Sequence, residues 1–217
     1  MIKIISFIFN MDKPKTEIND EITLFLKRYL NDDNSLLVKS IIYSLKLLDK
    51  DDIENINKIA ILSKKQIDNN MPLVVAYALN LINIYIYYDL PSMLNNSMRN
   101  GHPNIHIYYS EAISRLCMVT LCSLQFEIMS TCFSKNENIF NLFDKYSNKM
   151  IKYFDNSDIY NNLNENFDNK CVDIIKNEMN NRLNVVSQSI IESIYVLSNN
   201  VDYYEKNKDK LDSIIIY

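Results

Sequence analysis

The two histidines of the chain lie close together in a polar stretch. His102 and His106 are four positions apart, and Glu111 and Arg115 follow at similar spacing. Imidazole and carboxylate groups are the usual general acids and bases near neutral pH, and a guanidinium group can stabilise a developing negative charge. One hypothesis is therefore a small helical enzyme with a site around these four residues.

A metal site at the same place is not predicted. Pro103 lies between the two histidines, so His102 falls outside any helix that His106 begins. The stretch HPNIH lacks the glutamate of the HExxH pattern, and no third ligand has suitable spacing. We expect neither a metal nor a cofactor.

The cysteines indicate a reducing compartment. The chain has four of them, and Cys117, Cys122 and Cys132 lie in one helical region without the spacing of a disulfide framework. The apolar run at the N-terminus is too short for a signal peptide. We therefore expect free thiols in an intracellular, cytoplasmic protein.

Several function classes are excluded by composition. The only glycine, Gly101, cannot build a P-loop, a dinucleotide-binding turn or a nucleophile elbow. A net charge of −4 with scattered lysines and arginines argues against a nucleic-acid partner. The longest apolar stretch, residues 73–88, contains two asparagines and is too short for a typical transmembrane helix.

Apolar residues recur at intervals of three and four along almost the whole chain, with short polar links between segments. This pattern predicts an all-α fold: a compact bundle of about seven or eight helices around a buried central helix at residues 73–88. A short α-solenoid is the alternative. Residues 81–88 alternate as in a strand, but Pro72 suits the first turn of a helix. Residues 105–132 are predicted as one continuous helix.

The domain organisation follows from the same pattern. Residues 1–15 are predicted to be a loosely attached N-terminal segment, with Met11 an alternative to Met1 as the start of the chain. Residues 16–217 are predicted to form a single all-helical domain, with a polar loop at residues 155–169 that lacks helical periodicity.

Exclusion of these function classes leaves a non-enzymatic module for protein–protein interaction as the main hypothesis. The abundance of Ile, Asn, Lys, Asp and Tyr points to an AT-rich genome, and hence to a viral or microbial regulator that inhibits a host or cellular protein. The partner would be a protein segment such as an amphipathic helix, bound in an apolar groove. Aromatic and methionine side chains near the connection that contains Gly101 are the candidate anchors. These partner-binding candidates are Tyr85, Tyr88, Met93, Met98 and Tyr108.

Overall fold

The computed structural model describes residues 15–30, 34–155, 169–215 and 217. Within these residues the chain is all-α apart from one hairpin, whose two strands have two residues each. This confirms the predicted fold class. The predicted N-terminal segment (except its last residue) and nearly all of the predicted loop at residues 155–169 lie outside the described residues. The helices and strands in chain order are α1 (Lys15–Leu26), α2 (Leu36–Ser44), a 3₁₀ turn (Leu45–Leu47), α3 (Lys50–Lys64), α4 (Met71–Asp89), β1 (Met98–Arg99), β2 (His102–Pro103), α5 (Ile105–Tyr108), α6 (Glu111–Cys132), α7 (Ile139–Asp155), α8 (Asn169–Leu197) and α9 (Val201–Asp212).

Helix α4 forms the centre of the fold. It packs against α1, α3, α6 and α8, and all of its residues except Met71, Asn83 and Tyr87 are buried. Burial on every side removes the amphipathic period, which explains why residues 81–88 alternate as in a strand although they are helical. The predicted central helix is thus present, with bounds two residues earlier and one residue later than expected.

The predicted helix at residues 105–132 is interrupted. Helix α5 is a single turn, and the backbone leaves helical geometry before Ser110, which adopts φ −176° and ψ 166°. The Ser110 hydroxyl oxygen accepts a hydrogen bond from the backbone N–H of Ile113 and so caps α6. A serine N-cap therefore separates two helices that hydrophobic periodicity alone joins into one.

A capping box fixes the start of α3 and brings a carboxylate into the interior. The Asp49 side chain accepts from the backbone N–H of Asp52 at 2.9 Å, and Asp52 Oδ2 accepts from the Asp49 N–H at 2.9 Å. The N-cap of α3 is therefore Asp49. This arrangement leaves Asp52 Oδ1 directed at α4.

Two described helices, α4 and α6, are long and apolar enough to cross a membrane by length and composition. In α4 the apolar window is 83% buried within the protein, whereas in α6 it is 33% buried. Packing inside the protein therefore accounts for the apolar character of α4, but not for that of α6.

Candidate functional site

A buried ion pair lies at the carboxyl end of the central helix. Asp89, the last residue of α4, is fully buried. Arg99 Nε donates to Asp89 Oδ2 at 2.7 Å, and Arg99 Nη2 donates to Oδ1 at 2.9 Å. Asn96 Nδ2 donates to Oδ1 at 2.7 Å. Two-point pairing of this kind is the strongest arrangement of a guanidinium with a carboxylate, and it satisfies both oxygens of Asp89.

The hairpin β1–β2 positions Arg99. Its two central residues, Asn100 and Gly101, have φ values of 49° and 75°, as a type I′ turn requires. The Asn100 side chain donates to the backbone oxygens of Lys46 at 3.1 Å and Leu48 at 2.7 Å. The hairpin is thereby fixed onto the segment between α2 and α3, with Arg99 beside the end of α4.

Tyr85 connects the ion pair to a second carboxylate. The Arg99 guanidinium lies 4.1 Å from the centre of the Tyr85 ring, a cation–π contact. The Tyr85 hydroxyl donates to Asp52 Oδ1 at 2.6 Å. Burial raises the pKa of Asp52 to about 6, against the opposing effect of the Tyr85 hydrogen bond. A carboxyl group with such a pKa can donate or accept a proton near neutral pH.

Tyr217 extends this polar network across the interior. Its hydroxyl donates to Asp52 Oδ1 at 3.3 Å and lies 3.2 Å from the hydroxyl of Tyr77, which in turn lies 2.9 Å from the Ser187 hydroxyl. The backbone N–H of Tyr217 donates to Asn184 Oδ1 at 2.8 Å. Burial raises the pKa of the Tyr77 hydroxyl to about 12 and also raises the pKa of Tyr217. Both phenols therefore stay protonated near neutral pH.

We call the residues Asp52, Tyr85, Asp89, Asn96 and Arg99 the α4-end cluster. It is the most highly charged part of the described interior, where unpaired charges are strongly unfavourable. Burial lowers the pKa of Arg99, but the hydrogen bond and charge of Asp89 outweigh it and leave that pKa raised. The guanidinium is therefore permanently charged, and its side chain keeps 18% of its surface exposed.

A divalent metal does not fit this cluster. Magnesium sites use carboxylate oxygens that are free to coordinate, together with substrate phosphates. Both oxygens of Asp89 accept from Arg99, and both oxygens of Asp52 accept from Tyr85 or from backbone. Among the described residues there is also no group of three His, Cys, Asp or Glu side chains that could hold a metal ion. No chemical step is therefore assigned to a metal here.

A small cavity of about 30 Å³ lies where α4, α6, α7 and α8 meet. Asn80, Gln125 and Tyr146 supply polar groups to its lining, and the Tyr146 hydroxyl donates to Asn80 Oδ1 at 2.8 Å. A space of this size holds about one or two water molecules. A larger ligand would enter this part of the interior only if the helices around it separated.

The five candidate anchors are divided between the interior and the surface. Tyr85, Tyr88 and Met93 are buried, with exposed fractions of 3%, 1% and 7%, so these three side chains present almost no surface to a partner. Met98 and Tyr108 are exposed, and the Tyr108 ring stacks on Tyr43 at 4.6 Å between ring centres. Of the five, Tyr85 lies in the α4-end cluster.

The residues of the alternative enzyme site are not brought together by contacts. Glu111 and Arg115 form an exposed ion pair on the first turn of α6. Neither His102 nor His106 is joined to that pair by a hydrogen bond or ion pair in the described part of the chain. His102 lies in β2, and His106 Nε2 is buried without a hydrogen-bond partner.

The central residues of the cluster were missed because the sequence gives each of them an ordinary explanation. Asp52 is interpreted as a helix terminus, Asp89 as the end of a helix before Pro91, and Arg99 as part of a turn. A usable signal did exist, because Asn100-Gly101 is the strongest short-range indicator of a type I′ hairpin. A hairpin there brings Arg99 back toward the helix end that carries Asp89.

Comparison with solved structures identifies the fold. No protein-family model and no curated protein sequence matches the chain. An isoprenoid synthase family member from Thermotoga neapolitana is similar with a TM-score of 0.64 and 17% identity, over 93% of this chain and 82% of that one. This chain has the isoprenoid synthase fold. A geranyltranstransferase from Thermotoga maritima has a TM-score of 0.65 and 19% identity, over 92% and 78% of the two chains. An FPP/GFPP synthase from Zymomonas mobilis has a TM-score of 0.59 and 14% identity, over 91% and 74%.

These neighbours overturn the main functional hypothesis. Each of them is named as an enzyme of isoprenoid synthesis, so the prediction of a non-enzymatic interaction module is wrong. The predicted protein partner and the predicted role as a viral or microbial regulator are wrong for the same reason. The composition excluded only enzymes that need glycine-rich loops. The main hypothesis treated this as an argument against enzymes in general, although helical enzymes need no such loop. The alternative hypothesis, a helical enzyme, agrees better with the fold.

Proposed function

We propose that this protein is an enzyme of the isoprenoid synthase class that acts on an isoprenoid substrate. The observation that carries the proposal is the extent of the structural likeness, which spans 91% to 93% of the chain in the three comparisons. The same matches cover 82%, 78% and 74% of the three neighbours' own chains.

The chemistry of the interior suits such a substrate. An isoprenoid diphosphate is a branched hydrocarbon with an anionic head group. Helix α4 offers apolar side chains along most of its length and ends at a cluster that contains a permanent cation, Arg99. We place the head group at the outer side of the α4-end cluster, where the partly exposed Arg99 can meet an anion. A hydrocarbon chain beside α4 would require the helices around the cavity at Ala76 and Asn80 to separate.

Asp52 is the candidate group for proton transfer in this arrangement. Its pKa of about 6 lets a fraction of the molecules carry the proton near neutral pH. The Tyr85 hydroxyl donates to Asp52, and the Tyr85 ring lies against Arg99. A proton held at Asp52 is therefore one side chain away from the proposed head-group position.

We also place the enzyme in a reducing compartment. Cys117, Cys122 and Cys132 are free thiols, which suits the interior of a cell. Burial raises the pKa of Cys117 to about 12, so this cysteine is an unreactive thiol in the core.

A calorimetric binding experiment tests the proposed site. Geranyl diphosphate and farnesyl diphosphate are titrated into the full-length protein, with and without Mg²⁺, and inorganic diphosphate serves as the control for the head group alone. We expect saturable binding of the isoprenoid ligands that does not require Mg²⁺. The substitutions Asp89→Asn and Arg99→Gln together remove both charges and should weaken binding at least about tenfold. Absence of binding by the folded wild-type protein would overturn the proposal.

A further inference from the structure

Three non-glycine residues in the described part of the chain have a positive φ, and all three are asparagines. Asn95, Asn100 and Asn199 have φ values of 50°, 49° and 56°, and each of them is exposed. Of the three, only Asn100 is followed by glycine. Asparagine is a chemically labile residue, and a following glycine has no side chain to hinder attack by its backbone nitrogen on the asparagine amide. Asn100 is therefore the position of the three where this reaction is least hindered.

The hairpin leaves the two reacting groups accessible. Strand pairing joins Arg99 to His102, so the backbone nitrogen of Gly101 lies in the turn and outside the ladder. A Cβ built on Gly101 would meet no atom within 4 Å, so there is open space beside this residue. The Asn100 side chain is held by its two hydrogen bonds to the segment between α2 and α3. The reaction therefore requires that this side chain first leave those contacts.

We propose that Asn100 is a site of spontaneous deamidation, and that this modification releases the hairpin that positions Arg99. The Gly101 nitrogen attacks Asn100 Cγ and forms a five-membered succinimide ring. The Cγ–Nδ2 bond breaks, and Nδ2 leaves as ammonia with the proton from the Gly101 nitrogen. Water then opens the ring, its hydroxyl joining one of the two carbonyl carbons and its other proton joining the nitrogen. The product is aspartate or isoaspartate, and water is the only co-reactant.

The modification removes the anchor of the turn. In the unmodified protein Asn100 Nδ2 donates to the backbone oxygens of Lys46 at 3.1 Å and Leu48 at 2.7 Å. A carboxylate only accepts hydrogen bonds, so an aspartate here brings a negative charge toward two carbonyl oxygens that repel it. Isoaspartate also adds one atom to the backbone of a two-residue turn, whose geometry depends on its length. The side chain cannot return to its original contacts, and the release is permanent.

Other contacts keep the base of the hairpin attached, so we expect the turn to loosen without unfolding of the protein. The Tyr43 hydroxyl donates to the backbone oxygen of Pro103 at 2.8 Å, and the Asn104 N–H donates to the oxygen of Ser97 at 2.9 Å. Arg99 directly precedes the turn, so its position changes most when the turn is released. The effect on ligand binding rests on the proposed function, whereas the deamidation itself does not.

The test of the reaction is incubation of the full-length protein at mildly alkaline pH, followed by mass spectrometry of peptides prepared at acidic pH. Isoaspartyl methyltransferase labels the isoaspartate product. We expect Asn100 to be modified at least about tenfold faster than Asn95 or Asn199, because neither of these is followed by glycine. Gly101→Ala should lower the rate at Asn100 to that of the other two, although it also strains the turn. Equal rates at the three asparagines, or an unmodified Asn100, would overturn the inference.

The release of the hairpin is tested with Asn100→Asp, which reproduces the charged product. Hydrogen exchange of the β1 and β2 amides should become at least about threefold faster, and the dissociation constant for farnesyl diphosphate should rise by a similar factor. Asn199→Asp is the matched control, because Asn199 Oδ1 accepts from Asn138 at 2.9 Å and a carboxylate keeps this bond. Unchanged exchange in Asn100→Asp would overturn the proposed release. Faster exchange with unchanged affinity would support the release and contradict only the proposed head-group position.

Discussion

Arg99 holds Asp89 through two nitrogen atoms, at 2.7 Å and 2.9 Å, although the residues are ten positions apart and lie in different elements. Asp89 ends helix α4, and Arg99 ends β1, the first strand of the hairpin beside that end of α4. The pair thus joins the apolar centre of the protein to the side chains proposed to meet a charged ligand. Its carboxylate is occupied by a guanidinium instead of being free for a metal.

Replacement of Arg99 by alanine should strongly destabilise the fold. The substitution leaves the Asp89 carboxylate fully buried with only Asn96 as a hydrogen-bond donor among the contacts described above, and removal of one partner from a buried pair costs about 3–5 kcal/mol. The free energy of unfolding from urea titrations measures this. Arg115→Ala is the control, because it breaks the exposed Glu111–Arg115 pair and should cost less than about 1 kcal/mol. Equal losses for the two variants would contradict the assignment of a buried pair.

The stability of the protein should depend on pH through Asp52. Its pKa is about 6 in the folded state against 3.8 for the unperturbed carboxyl, so the folded protein binds more protons between these values. The stabilisation is fully present below about pH 4 and is lost as the pH rises through 6, by at most about 3 kcal/mol. Asp52→Asn should remove this dependence. The relevant measurement is the difference in unfolding free energy between wild type and variant from pH 4 to pH 7, and a difference that does not change with pH would refute the shift.

The hairpin turn should be sensitive to a side chain at one of its two central positions. Gly101 has φ 75°, and a Cβ at this position would meet no atom within 4 Å, so the effect of Gly101→Ala is purely conformational. We expect a loss of about 1 kcal/mol in unfolding free energy. Asn100→Gly keeps the backbone preference but removes the hydrogen bonds to Lys46 and Leu48. If Gly101→Ala were neutral in a thermal melt, the type I′ geometry would be wrong.

The hydroxyl of Tyr217 should contribute a modest stabilisation. Tyr217→Phe removes its hydrogen bonds to Asp52 and Tyr77 while the ring remains in place, and the expected loss is about 1 kcal/mol. Tyr203→Phe is a suitable control, since Tyr203 is 49% exposed. Guanidinium titrations of both variants would test this, and a loss no greater than that of the control would show that the network does not depend on Tyr217.

Sequence patterns predicted the helical elements more fully than the site, for physical reasons. Amphipathic spacing is local and survives in α2 and α8, whereas α4 loses it because every side of the helix is covered. Helix α6 begins at the N-cap Ser110, and hydrophobic periodicity does not detect a capping residue. The Asp89–Arg99 pair depends on a hairpin that reverses the chain, and the Asp52–Tyr217 contact spans 165 positions. Contacts of that range are set by the packing of whole helices, and no local pattern encodes them.

The likeness of this fold to that of isoprenoid synthases was also not visible in the sequence patterns. Identities of 14% to 19% leave the likeness visible in the arrangement of helices rather than in a motif. The sequence analysis placed the candidate anchors of a protein partner near the connection that contains Gly101. The protein partner predicted near this connection is contradicted by the structural neighbours, which are isoprenoid synthases.

The most direct test of the central claim is product formation by the purified protein. Geranyl and farnesyl diphosphate are supplied singly and in pairs, and new isoprenoid products are sought by mass spectrometry after extraction. We expect product from the wild-type protein and a loss of at least about tenfold in rate for the folded Asp89→Asn, Arg99→Gln variant. If the folded wild-type protein leaves every substrate unchanged, with or without Mg²⁺, the account of this chain as an isoprenoid-converting enzyme is contradicted.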